Sequence, residues 1–255
     1  MGELHCLNVG CADCTVIRSG NDSYLVDCHD IESHSNLLPQ DKRLRGVIIT
    51  HQHYDHFDGL DFLRRNNYSI DILAYSPYER RNEDSSVEYD EWQAFKNLRD
   101  YFEGRGTKLY FPYRQESFDR PWWDAGMLRF FVLGPASHIT KSPTRELHDA
   151  SLVLHVTLGK RACLFAGDAS DTSLRHVADN TTGFCGDILH ASHHGSINGA
   201  ELEFVKKCNA SETLVSTKSG VHSNVPSSTA MQRYSNHTKK KVWRTDISGS
   251  VKWTF

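Results

Sequence analysis

No apolar run in this chain approaches the ~20 residues that a membrane-spanning helix needs, and the mean hydropathy of −0.53 agrees with that lack. Basic charge is not in excess either: 29 Lys and Arg against 32 Asp and Glu give a formal net charge of −3, with a pI near 6.6. The balance excludes a broad basic surface of the kind a tight duplex binder carries. It leaves local patches, such as Lys239-Lys240-Lys241 with Arg244, and Lys206-Lys207. There is no internal repeat and no low-complexity linker. Met1-Gly2-Glu3-Leu4-His5 runs straight into a strand pattern without a charged-then-apolar leader, so the expected location is cytoplasmic. The seven cysteines cannot all pair within one chain, and Cys11-x-x-Cys14 has no second CxxC partner. They read as reduced thiols that act mostly as small buried hydrophobes.

What is present is an alternation of strand and helix patterns. Residues 3–9, 13–18 and 23–27 read as short strands divided by turn signals at Gly10 and Gly20-Asn21-Asp22. Leu44 to Ile49 is a fourth strand, with a helix from Phe57 to Arg65 behind it. Trp92, Phe95, Leu98 and Phe102 repeat at a helical period within the charged segment 79–105, and an aromatic cluster follows at 110–124. Together these suggest a helical and aromatic insertion at about 79–124 beside a substrate cleft, its aromatics more often a packed loop than a base-stacking platform. Leu128 to Leu133, Leu152 to Leu158 and Arg161 to Ala166 supply further strands, Thr172 to Val177 and Ala200 to Lys207 helices, and the chain ends in a hairpin. At 255 residues and 38% hydrophobic content this is an expected single α/β domain spanning 1–255.

The densest chemistry is Thr50-His51-Gln52-His53-Tyr54-Asp55-His56, at the end of the apolar run Val47-Ile48-Ile49. His51 and His53 leave an extended loop on one side, while Asp55 and His56 face a second point one turn further on. Imidazole and carboxylate in that spacing suit two divalent ions, zinc, manganese or iron(II), better than one. A solvated His-rich turn is the bland alternative, and the strand before it argues against that.

These residues resemble the metallo-β-lactamase superfamily, whose signature is a His-x-His-x-Asp-His loop. Leu7 to Ile17, Tyr24-Leu25-Val26-Asp27, Ala150 to Leu154, Leu164 to Asp168, His193-His194-Gly195-Ser196 and Trp243 to Asp246 with Gly249 resemble, in order, the branch containing the C-terminal domain of the DNA-uptake protein ComEC. The resemblance implies a four-layer αββα sandwich. It also implies that Asp168 bridges two metal ions, zinc or manganese, and that one of His193 and His194 joins Asp55 and His56 at the second; His193 is favoured, which leaves His194 either as a group behind the ligands or as a proton donor. His148 stands where ComEC-like chains commonly carry asparagine; it would either give a fuller first site with His51 and His53 or be a surface histidine in a polar loop. Where relatives end a loop in Gly-His-Pro this chain has Asn224-Val225-Pro226, so His222 either takes the general-acid role or that role is absent.

Metal ions ~3.5–4 Å apart suit in-line hydrolysis of a phosphodiester, with Asp55, Asp168, His194 and His222 as the catalytic candidates. The expected substrate is DNA or another phosphodiester, with no membrane partner. A hydrolase for a lactone, thioester or phosphorylcholine-type ester, and a non-catalytic sensor with a structural metal, are the alternatives.

Overall fold

The computed structural model describes residues 2–81 and 83–255. Two seven-stranded sheets lie face to face. The first runs Val251–Thr254, Gly2–Cys6, Cys14–Ser19, Asp22–Cys28, Gly46–Ile49, Ile72–Tyr75 and Lys108–Tyr110 in spatial order. The second runs Lys241–Arg244, Glu212–Val215, Ile188–His190, Arg161–Phe165, Val153–Leu158, Leu128–Gly134 and Trp123–Ala125. In each sheet a meander of antiparallel strands passes into a run of parallel ones. Among the described residues no helix is long and apolar enough to cross a membrane.

The central strands are apolar throughout because they are buried on both faces. In Gly46–Ile49, Ile48 points between the sheets while Val47 and Ile49 point outward to helices. In Arg161–Phe165, Cys163 and Phe165 face inward and Leu164 outward. Helices Gly59–Arg65 and Tyr89–Glu103 cover the outer face of the first sheet. Asp171–Asn180, Leu202–Cys208 and Ser228–His237 cover the second. The result is the four-layer αββα sandwich.

Segment 79–124 supplies pieces of the sandwich itself. Trp92, Phe95, Leu98 and Phe102 of its helix are buried against the first sheet, and Lys108–Tyr110 and Trp123–Ala125 are edge strands of the two sheets. Trp123 stacks on Phe130 with ring centroids 4.9 Å apart and meets Tyr24 edge-on at 5.4 Å, so this aromatic lies across the inter-sheet core.

Three features depart from the sequence expectation. The closing hairpin is absent: Lys241–Arg244 belongs to the second sheet, Val251–Thr254 pairs with Gly2–Cys6 in the first, and the short helix Thr245–Ser248 carries the chain across. Periodicity alone does not reveal which sheet a strand joins. Helix Ser228–His237 was not anticipated, because only Ala230 and Tyr234 are buried along it, too few to mark a period. Cys185 and Cys208 form a disulfide, while Cys6, Cys11, Cys14, Cys28 and Cys163 are free.

Candidate metal centre

The carboxyl ends of strands from both sheets meet along one edge of the sandwich, the place where ligands bind in open α/β sheets. His51 and His53 follow Gly46–Ile49, and the helical turn Tyr54–Phe57 carries Asp55 and His56. From the second sheet come His148 on the turn Leu147–Ala150, Asp168 after Arg161–Phe165, and His193 and His194 after Ile188–His190. His51 and His56 are fully buried, Asp168 is 2% exposed and His194 4% exposed.

The side chains sort into overlapping groups. His51, His53 and His148 converge on one point, and Asp55, His56 and His194 on another. Asp168 stands between them, grouping with His51 and His56 and also with His148 and His193. His51 Nε2 and His53 Nδ1 are 3.2 Å apart, His194 Nε2 and Asp55 Oδ2 3.3 Å, and His56 Nε2 and Asp168 Oδ1 3.4 Å. Donors that share a tetrahedral zinc stand about 3.4 Å apart, given bonds of ~2.0–2.1 Å. His194, not the favoured His193, is the imidazole beside Asp55 and His56. His193 lies against His148, with ring centroids 4.5 Å apart, and its Nε2 is 3.8 Å from Asp168 Oδ2. His222 is exposed on the turn before the cis peptide Val225-Pro226.

Three of the converging imidazoles have their other nitrogen committed, which selects the donor atom. His56 Nδ1 donates to Asp27 Oδ2 at 2.9 Å, His194 Nδ1 to the Ser216 carbonyl at 3.1 Å, and His53 Nε2 to the Ser86 carbonyl at 2.9 Å. Asp27 also accepts the Thr50 amide and hydroxyl, both at 2.7 Å, and so anchors the start of the loop. Asp13 approaches His194 Nδ1 at 3.6 Å and His190 at 3.8 Å from the opening motif. The sequence reading did not single out Asp13; its one signal was an acid in a turn that the resembled branch shares.

Burial opposes charge on His51, His56, His148 and His194. It pushes His148 down to about 3 and holds His51 well below its usual range. At His56 and His194 burial is outweighed by Asp168, joined by Asp27 and Asp55 at the first and by Asp13 and Asp55 at the second; both are raised well above the ordinary value. Burial would raise Asp168, but His194, His56, His193 and His51 hold it well below the carboxylate range.

Buried polar atoms without partners provide the test of fit. Nε2 of His56, His148 and His194, together with Oδ1 of Asp168 and of Asp13, are buried and make no hydrogen bond. Each such atom costs about 1–3 kcal/mol, and divalent cations would satisfy the histidine and Asp168 donors together. The residues therefore fit bound divalent metal.

An αββα sandwich with paired His/Asp donor sets at the carboxyl ends of its strands defines a metal-dependent hydrolase fold. The family described as beta-lactamase superfamily domain matches residues 24–185, more than half of the sequence, and the chain belongs to that superfamily. The match contains the His loop, His148 and Asp168 and stops before His193. Among solved structures, the metallo-β-lactamase fold protein YhfI from Bacillus subtilis is similar at 17% identity, with 98% of this chain and 100% of that one covered and a TM-score of 0.60. A diphosphatase of the PhnP family is similar at 12% identity (100% and 98% covered, TM-score 0.53). Human tRNase Z, short form, is similar at 16% (98% of each chain covered, TM-score 0.52). At these identities the likeness is one of fold. No curated protein matches the sequence.

Proposed function

We propose that the protein is a dinuclear metal-dependent phosphodiesterase acting on a small phosphodiester. The observation that carries this reading is the pair of donor sets joined by one buried carboxylate, with their converging Nε2 atoms left unsatisfied. His51, His53 and His148 would hold one ion and Asp55, His56 and His194 the other, with Asp168 shared. The all-imidazole first set suits zinc, and the mixed second set suits zinc or manganese. Bound ions would supply Lewis acidity, lower the pKa of water and offset charge on the phosphoryl oxygens.

The chain's own residues supply positioning and proton transfer. Asp27 and Ser216 orient His56 and His194, and Asp55 and Asp168 offset positive charge between them. His193, with a side chain 27% exposed at the mouth of the site, is placed to protonate a leaving oxygen in preference to the exposed His222. The ComEC-like resemblance, and the tRNase and diphosphatase among the fold relatives, support a phosphoester bond.

Charge bears on substrate size. An open groove of about 850 Å³ is lined by His148 and His193 together with Glu146, Asp149, Asp171, Asp179 and Arg175. Such a wall repels a long polyanion and tolerates a small ester, in accord with the net charge of −3.

The test compares wild type with Asp168→Ala on bis(p-nitrophenyl)phosphate and on a single-stranded oligonucleotide, with added Mn²⁺ or Zn²⁺, alongside metal analysis. The expected result is about two metals per chain, ester cleavage that the variant loses, and weaker action on the oligonucleotide. Metal-loaded protein that cleaves neither would overturn the reading, and activity on a thioester instead would assign a different bond.

A further inference from the structure

We infer that Asp84, which touches none of the converging donors, is the positioning residue for the ion held by His51, His53 and His148; the inference rests on the dinuclear reading above. Asp84 Oδ1 accepts both the Ser86 amide, at 3.0 Å, and the Ser86 hydroxyl, at 2.6 Å. Its other oxygen accepts from the Tyr78 hydroxyl and from Arg145 Nη1 at 3.2 Å, in an ion pair whose side chains are 5% (Arg145) and 8% (Asp84) exposed. The Arg145 guanidinium also lies over the Tyr78 ring, 4.7 Å from its centroid.

Ser86, held in this way, reaches both loops of the site. Its carbonyl accepts His53 Nε2–H at 2.9 Å, which leaves His53 Nδ1 as the free donor 3.2 Å from His51 Nε2. Its hydroxyl accepts the Leu147 amide at 2.9 Å, and Leu147 immediately precedes His148. One carboxylate thus sets the tautomer of one donor and the backbone position of a second. The Asp55, His56 and His194 group is oriented independently, through Asp27 and Ser216. A carboxylate that acts through one serine on one of two adjacent sites changes one affinity and leaves the other. A merely structural role would change both or neither.

The experiment titrates metal-free protein with Co²⁺, followed by visible absorption and by competition with a chelator, for wild type, Asp84→Ala, Asp84→Asn and Ser86→Ala. Wild type is expected to bind two ions. Asp84→Ala is expected to weaken one of them by about 10–100-fold, the range for outer hydrogen-bond partners of a metal ligand, and to leave the other within about twofold. Asp84→Asn, which retains one carbonyl oxygen, should recover part of the loss. Ser86→Ala, which keeps the carbonyl to His53 but loses the bond to Leu147, should fall between; these two variants carry the test if Asp84→Ala does not fold. Two ions bound as in wild type, or both weakened equally, would overturn the proposal. Fewer than two ions in wild type would overturn the dinuclear reading beneath it.

Discussion

Gly167 shows how closely the backbone passes behind the site. It sits at φ +49°, and a Cβ there would lie 2.5 Å from Ser151 Oγ and 2.7 Å from Thr50 Cβ. Ser151 Oγ accepts the Asp168 amide at 3.1 Å, so the clash falls on a group that holds the shared carboxylate in place. Gly167→Ala is expected to cost about 2–4 kcal/mol through strain and overpacking and to reduce bound metal, read by denaturant unfolding and metal analysis. Protonation gives a second prediction at this scale. His56 and His194 are raised in the metal-free protein, while His51 and His148 are depressed and already neutral. A cation must displace protons from the raised pair, so affinity rises with pH. About two protons should be released near pH 7, measurable by calorimetry in buffers of different ionisation enthalpy; release near zero would contradict charged His56 and His194.

Among the elements, helix Tyr89–Glu103 joins stability to the site. Phe95 is fully buried, with ring centroids 5.3 Å from Phe57 and 5.4 Å from Tyr75, and Glu91 in the first turn accepts the Tyr54 amide of the metal loop. Phe95→Ala should cost about 3–5 kcal/mol yet leave two metals bound in the protein that remains folded, because no donor atom moves with it. A lower unfolding midpoint at unchanged metal content is the signature. Loss of metal in folded Phe95→Ala would mean that the helix positions the donors directly. The strand Asp22–Cys28 ends in a different kind of support: Asp27 anchors Thr50 and His56 together. Asp27→Asn should weaken metal binding by about 10–100-fold, as measured by chelator competition.

Taken whole, the molecule is two sheets with similar strand order, and the site needs both. The first sheet contributes His51, His53, Asp55 and His56, and the second His148, Asp168 and His194. Ions bound between them would tie the halves of the sandwich together. At free metal a thousandfold above Kd, each independent site adds about 4 kcal/mol of stability. Chelation should therefore lower Tm by more than about 10 °C, at roughly 2–4 °C per kcal/mol for a chain of this size. An unchanged Tm after metal removal would mean that the sites contribute nothing to holding the sheets together.

Much of this was legible in the chain. The His loop, Asp168 and the apolar strands that deliver them are local: a run such as Val47-Ile48-Ile49 is buried on both faces wherever it lies, and the ligands follow it in sequence. The superfamily followed from the order of those pieces. Tertiary structure alone decided the rest. His193 and His194 are adjacent and chemically alike, and only their positive-φ turn, at +52° and +51°, sends His194 toward Asp55 and His193 toward His148. Asp13, Asp27 and Asp84 are ordinary acids in sequence, and their roles depend on imidazoles and hydroxyls 23 to 181 positions away or, for Asp84, on a serine two residues on that faces two distant loops. The final strands look like a hairpin because local pattern carries the strand period, whereas membership in one sheet or the other is set by packing between distant segments.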